Sequence, residues 1–350
     1  MRARPAPAAS PAGYPLLAIV GPTAAGKSAL AIAIAKQWNG EIINYDAMQL
    51  YRGFDIGTGK LRPEEQDGIP HHLLDRSEPD QIFTAGEFPR TASAVLVSVR
   101  ERAKLPILVG GTGLYLRALL DGLFAGPKRS EAVRARLHRM VDRHGREFLH
   151  RLLLRLDAQA AARIASRDTQ KIIRAVEVCC LAGEPITSLQ ARGRKGLKGF
   201  HAIKIGLDPD RTELNCRIDA RVERMFAAGL IEEAHRLFAA RDSGQAAGAE
   251  RFGPFTSLGY PQALAAARGE ISISEAIVQT QAATRRYAKR QRTWFRREPG
   301  VTWFVGFGDD AAIQEQIFDW LENILPRRGA RANVGAPLVG TLERESARRR

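Results

Sequence analysis

Cysteine is scarce in this chain. Cys179, Cys180 and Cys216 are the three present, and none belongs to a C-x-x-C pair. That excludes a disulfide framework and leaves packing roles in a reducing compartment. Long apolar runs are missing too. No stretch approaches the ~20 residues that cross a bilayer. The run at Leu16–Val20 is too short for the core of a signal peptide. A soluble, cytoplasmic protein with no membrane partner is therefore expected. Acidic residues are in deficit, 38 Asp and Glu against 53 Lys and Arg, for a formal charge of +15. Such an excess suits either a polyanionic partner or an arginine-rich surface inherited from a GC-rich genome. Part of it lies after Pro326, where seven arginines stand against two glutamates.

Against these absences stands one complete motif. Gly21, Pro22, Thr23, Ala24, Ala25, Gly26, Lys27 and Ser28 spell G-x-x-x-x-G-K-S. An apolar run, Leu16-Leu-Ala-Ile-Val20, precedes it as a strand, and Ala29 to Lys36 follows as a helix, the context a phosphate-binding loop requires. The glycines bring backbone N–H groups onto phosphate oxygens, and the helix N-terminus adds partial positive charge. Lys27 supplies a cation, and the Ser28 hydroxyl can sit on Mg2+. The ligand carries a di- or triphosphate, and the loop alone does not say which.

Strand and helix alternate from Tyr14 to about Gly122. Glu41–Asn44 and Leu105–Val109 read as strands. Thr84 to Ala103 reads as a helix with Thr84 and Glu87 forming a capping box, and Thr112 to Leu120 as another. The fold class is α/β, a P-loop NTPase-like doubly wound parallel sheet with an inserted all-helical domain. The insertion spans 124–199. Its helices are expected at Glu131–His144, Arg146–Leu154, Ala158–Ser166 and Thr169–Ala182, the last capped by Asp168 and ended by Gly183. A flexible basic linker, Arg192 to Gly199, leads back to a strand at His201–Leu207. Helices at Thr212–Ala228 and Ile231–Ala240, a loop at Gly244–Gly253 and further helices complete the core at 14–123 and 200–325. Residues 1–13 and 326–350 are expected to be a disordered arm and a basic disordered tail.

Phosphate-loop hydrolases place an aspartate at the end of a second apolar strand to order magnesium and water. Here Pro106–Val109 ends in Gly110-Gly111-Thr112-Gly113. That argues against a motor ATPase or GTPase. Two glycines followed by a hydroxyl suit close backbone approach to phosphate or a hydrogen bond to a reacting group, and the glycines alone also suit a tight strand-to-helix turn. After the second strand comes Asp46, beside the phosphate loop in this fold. A carboxylate there repels diphosphate, so it is either a general base facing an acceptor or the cap of a turn. Finally, Arg285, Lys289, Arg292 and Arg296 make one basic stripe on a helix, edged by Tyr287, Gln291 and Trp294. It suits a nucleic-acid backbone, a diphosphate or plain solvation. Arg163, Arg167, Lys171 and Arg174 form a second stripe on the insertion, and two stripes favour nucleic acid.

These segments resemble the tRNA dimethylallyltransferase, or tRNA isopentenyltransferase, family. The match runs through residues 21–28, Asp46-Ala-Met-Gln-Leu-Tyr51, Asp55-Ile-Gly-Thr-Gly-Lys60 and Val109-Gly-Gly-Thr-Gly-Leu-Tyr115. It continues through Asp168-Thr-Gln-Lys-Ile-Ile-Arg-Ala-Val-Glu177, Leu258-Gly-Tyr260 and Ala288-Lys-Arg-Gln-Arg-Thr-Trp-Phe295. The resemblance implies transfer of the dimethylallyl group of dimethylallyl diphosphate to the 6-amino group of adenosine 37. The tRNAs concerned read codons beginning with U. It implies diphosphate on residues 21–28 with Mg2+ on Ser28, and catalysis by Asp46 and Thr112. It places the anticodon stem-loop on Asp46, Ala47, Met48, Gln49, Thr112, Arg134, Gln170, Lys171, Ile172, Ile173 and Arg174. The turn of Thr256, Ser257, Leu258, Gly259, Tyr260 and Pro261 completes that surface. The enzyme is expected to be a monomer. Two departures stand out: Ala47 where the family commonly has Ser, and Thr169 where it has Pro. With no cysteine after Cys216, the chain resembles the bacterial form, which lacks a C-terminal zinc finger. The alternatives are an adenylate isopentenyltransferase, a small-molecule kinase of the same fold, and an RNA-binding regulator with a vestigial loop.

Overall fold

The computed structural model describes residues 13–240 and 253–325. Residues 1–12 of the arm expected at 1–13, the tail at 326–350 and loop positions 244–252 lie outside the described residues. The first half builds an α/β layer: β1 (Tyr14–Val20), α1 (Lys27–Trp38), β2 (Gly40–Asn44), β3 (His71–His72), α2 (Phe88–Glu101), β4 (Leu105–Val109) and α3 (Gly113–Leu120). Five helices follow: α4 (Glu131–His144), α5 (Arg146–Leu156), α6 (Ala158–Arg163), α7 (Thr169–Ala182) and α8 (Ile186–Ala191). The chain then returns through β5 (Phe200–Leu207), α9 (Arg211–Ala227), α10 (Leu230–Ala240), α11 (Tyr260–Ala267), α12 (Ile273–Phe295), β6 (Val301–Phe304) and α13 (Ala311–Ile324).

The six strands pair in parallel in the order β3-β2-β4-β1-β5-β6. The chain moves to one side of β1 for β2 to β4 and to the other for β5 and β6. The crevice at this switch opens above the carboxyl ends of the strands, where ligands bind in such sheets. Both faces of the sheet are apolar, as a sheet covered by helices requires. Leu17 and Ile19 join Ile107, Val109 and Ile205 under α1 and α13, while Leu16, Ala18 and Val20 join Ile43 and Leu108 under α2 and α3. Register then sets the site. Asn44 lies opposite Val109, and Val20 opposite Gly206. The residues that follow β1, β2 and β4 therefore leave the sheet side by side.

Several elements differ from the sequence reading. The Thr84–Glu87 box forms, Thr84 N donating to Glu87 Oε2 (2.8 Å), but it closes a turn, and α2 begins at Phe88 ahead of Pro89. β3, β6 and α8 are additional. In the insertion, Leu149, Leu153, Ile172, Ile173, Val176 and Leu189 form a core separate from those of the sheet. The helix expected through Ser166 stops at Arg163, so Arg163 and Arg167 do not share a helix with Lys171 and Arg174. The second basic stripe is broken there. No helix among the described residues is long and apolar enough to cross a membrane.

Candidate active site at the phosphate loop

The loop between β1 and α1 turns on Gly26, whose φ of +81° falls in the left-handed region that favours glycine. A Cβ there would also lie 2.7 Å from Asp309 Oδ1. Lys27 opens α1, and its Nζ donates to the Pro22 carbonyl (2.7 Å), closing the loop on itself. Burial pushes the Lys27 ammonium down to about 7, helped by the charge of Arg221 and opposed by Asp46. Ser28 lines a small cleft with Asn44, Gln49 and His71. Among the described residues nothing hydrogen-bonds to its hydroxyl. No cluster of three His, Cys, Asp or Glu side chains suited to a metal occurs among those residues. A magnesium ion that keeps its waters and takes phosphate oxygens needs only a hydroxyl here, and Ser28 fits that role.

Asp46 stands where the chain leaves β2. Its N–H donates to Asn44 Oδ1 (2.9 Å), and Asn44 Nδ2 anchors the turn on the Asp46 and Leu73 carbonyls (3.2 and 3.0 Å). Met48 N donates to Asp46 Oδ1 (3.0 Å), and Gly111 N donates to Oδ2 (3.2 Å). The carboxylate thus caps its own turn and is also fixed from the β4 side. Each oxygen keeps a second lone pair for a substrate. Ala47 N donates to Thr112 Oγ1 (2.9 Å), which leaves the Thr112 hydroxyl proton to donate elsewhere. The glycines after β4 are explained by close approach. A Cβ on Gly110 would come 2.6 Å from Asp46 N, one on Gly111 would come 2.8 Å from Asp46 Oδ2, and one on Gly113 would strike the Trp294 indole.

Helix α12 roofs this corner with the stripe of Tyr287, Gln291 and Trp294. Gln291 Nε2 donates to the Gly111 carbonyl (3.0 Å), and Gln291 Oε1 accepts from Thr23 N (2.8 Å). The Tyr287 hydroxyl reaches the same carbonyl (3.5 Å), and burial raises its pKa. The adjacent basic stripe is not free to grip a polyanion along its length. Arg285 pairs with Asp219, and Arg292 and Arg296 both pair with Asp208 (2.5 and 2.7 Å), leaving Lys289 exposed.

Arg221 of α9 is a site residue that sequence reasoning missed. Its Nη1 lies 3.5 Å from Thr23 Oγ1, and its Nη2 packs where a Cβ on Gly59 would stand, so a side chain there would displace the guanidinium. Burial lowers its pKa, opposed by the Asp46 charge. A signal existed: Arg217, Arg221 and Arg224 recur at one face of α9. The Asp55–Lys60 turn that carries Gly59 is held by buried Glu233, which accepts from Ile56 N (3.0 Å), Gly57 N (3.3 Å) and the Tyr260 hydroxyl (2.6 Å). Gln49 Nε2 donates to the Thr58 and Gly59 carbonyls (3.2 and 3.3 Å).

The remaining expected tRNA contacts divide by exposure. Gln170, Lys171, Thr256 and Pro261 are exposed, and Ala47, Met48, Gln49, Arg174, Ser257 and Leu258 are half-buried. Ile172, Ile173 and Tyr260 are 0 % exposed. Their side chains are core and present no surface to RNA; on α7, Ile172 and Ile173 stand two positions after exposed Gln170 and Lys171, which turns them to the opposite side of the helix. Gly259 is buried as well. Arg134 is buried beneath the insertion surface, donating to Glu177 Oε2 (3.3 Å) and Gln170 Oε1 (3.2 Å). Its place is under Gln170 rather than beside it.

The IPP transferase family model matches residues 49–298. The tRNA dimethylallyltransferase of Koribacter versatilis is 50 % identical over 298 residues, covering 85 % of this chain and 95 % of its own. That of Solibacter usitatus is 49 % identical over 311 residues, covering 89 % and 99 %. Among solved structures, the full-length tRNA isopentenylpyrophosphate transferase of Bacillus halodurans is 38 % identical with a TM-score of 0.63, covering 88 % of this chain and 96 % of its own. A eukaryotic dimethylallyltransferase acting on tRNA, at 23 % identity and a TM-score of 0.74 over 90 % of this chain and 81 % of its own, shares the fold. By its motifs, its sheet order and these matches, the chain belongs to the IPP transferase family.

Proposed function

We propose that this chain transfers the dimethylallyl group of dimethylallyl diphosphate to the exocyclic 6-amino group of adenosine 37, in tRNAs that read codons beginning with U. The observation that carries this reading is Asp46. A carboxylate fixed by Gly111 N at the mouth of a phosphate loop, with no second carboxylate after β4, serves an acceptor other than water. In the step, the bond from the allylic carbon to the diphosphate oxygen breaks and a carbon–nitrogen bond to N6 forms. The amine is a weak nucleophile, and its proton passes to Asp46. The bonding pair leaves on diphosphate, whose charge is met by Lys27, Arg221 and the amides that open α1. Ser28 would hold Mg2+, which when bound neutralises further charge on that diphosphate. Thr112 would orient the acceptor with its free hydroxyl proton. The base must leave its stack to reach this crevice, and the exposed edge of the insertion at Gln170 and Lys171, with half-buried Arg174 beside it, would grip the anticodon stem-loop.

The test is transfer of label from radiolabelled dimethylallyl diphosphate with magnesium. Unmodified anticodon stem-loop RNA containing A36 and A37 is offered in parallel with AMP. Label is expected in the RNA alone and lost in Asp46→Ala. Label in AMP would move the assignment to an adenylate isopentenyltransferase. Label in neither would favour a kinase, with ATP and small acceptors examined next.

A further inference from the structure

Gln291 takes no part in the chemistry above, yet it touches both halves of the site. It is buried on α12, 5 % exposed. Its Oε1 holds the Thr23 amide of the phosphate loop, and its Nε2 holds the Gly111 carbonyl. Gly111 in turn holds Asp46 by its own N–H. The run from loop to carboxylate is therefore Thr23, Gln291, Gly111, Asp46, with a hydrogen bond at every join.

A Cβ on Gly111 would press on Asp46 Oδ2 and on the Gln291 amide, so a side chain there would push one or both out of place. Glycine is also the residue least restrained in φ and ψ. A hydrogen bond to its carbonyl supplies the restraint that its missing side chain cannot. The carboxamide suits both joins. The Thr23 side of the link needs an acceptor and the Gly111 side needs a donor, so a carboxylate would set its oxygen against the Gly111 carbonyl.

We infer that Gln291 is a positioning residue whose carboxamide locks the phosphate loop to the acceptor carboxylate through Gly111. Seating the diphosphate and aligning Asp46 then become one event. This rests on the transfer reading given above. Misplacement of a reacting group by about 1 Å can cost about 10²-fold in rate.

The experiment is single-turnover and steady-state transfer by the full chain, using dimethylallyl diphosphate and the anticodon stem-loop RNA. Wild type is compared with Gln291→Met, Gln291→Glu, Asp46→Asn and the double variant Asp46→Asn with Gln291→Met, each with a thermal melt. Gln291→Met is expected to lower kcat about 10²-fold and to change KM for either substrate by less than about threefold. The double variant is expected to be no slower than Asp46→Asn alone, because both act through one linkage. Unchanged turnover in Gln291→Met, a loss confined to KM, or effects that multiply in the double variant would each overturn the inference. Gln291→Met and Gln291→Glu differ little from glutamine in shape, so a native melt in one suffices. Unfolding of both would make Gln291 structural and also overturn it. A wild-type protein that transfers no label fails the functional reading itself, and this inference with it.

Discussion

Lys27 meets a highly charged leaving group from a position that resists its own charge. Its ammonium titrates near 7 instead of the ordinary 10.5, because it is buried and faces Arg221. At pH 8 most of the free protein therefore carries a neutral Lys27. Diphosphate brings negative charge to the loop and restores the ammonium, so binding at pH 8 is expected to take up close to one proton, and at pH 6 almost none. Titration calorimetry in buffers of different ionisation enthalpy measures this, and Lys27→Met should abolish the uptake. The sign for folding follows from the same shift. Between about 7 and 10.5 the unfolded chain holds more protons than the folded one, so the contribution of Lys27 to stability rises with pH across that window. A second prediction concerns Gly111. Gly111→Ala places a methyl against Asp46 Oδ2 and the Gln291 amide. It should destabilise by about 1–3 kcal/mol and reduce kcat about 10²-fold, with diphosphate affinity kept. Urea melts and equilibrium binding separate the two effects.

Helix α7 shows how far an element can be read from its residues, and where the reading ends. Asp168 and Gly183 bound it as the sequence implies, since a side-chain acceptor before the first turn and a left-handed glycine after the last are local signals. Local signals also gave the phosphate loop, the glycine turn after β4 and Asp46. Other features depend on partners distant in sequence. Arg221 looks like any arginine on an amphipathic helix until α9 is laid against Thr23 and Gly59. Arg292 and Arg296 look like a nucleic-acid stripe until β5 delivers Asp208 to them. β6, four residues long, has too little pattern to stand out beside the helices around it. Within α7 itself, motif resemblance treats residues 170–174 as a block, whereas helical geometry sends alternate members to opposite sides. Ile173→Ala should therefore cost about 2–5 kcal/mol of stability in urea titration, with RNA affinity of the folded fraction unchanged. Lys171→Ala should leave stability within about 0.5 kcal/mol and lower the salt slope of RNA binding by about one unit.

The charge of the whole molecule sets how it meets a polyanion before any site is engaged. The formal charge is +15, of which residues 326–350 supply a net five with seven arginines against two glutamates, so the chain without them stays near +10. Intramolecular pairing reduces the cations available to a partner. Arg285, Arg292 and Arg296 are spent on Asp219 and Asp208, and Arg217 on Asp309. Exposed cations remain at Arg286, Lys289 and Arg290 on α12, while Lys171 on the insertion is exposed and paired with Asp168 at its own helix start. Each phosphate contact they make adds about 0.7 to 0.9 to the dependence of log affinity on log salt, the lower figure for single strands. If recognition belongs to these elements, a chain ending at residue 325 should keep its slope within about one unit of the full chain and lose less than about tenfold in affinity near 0.15 M salt. Filter binding of the stem-loop RNA across salt concentrations decides it. A slope that collapses on truncation would transfer the electrostatic grip from the insertion and α12 to the arginines beyond Pro326. Prenyl transfer by the truncated chain would then fall through KM for RNA while kcat held.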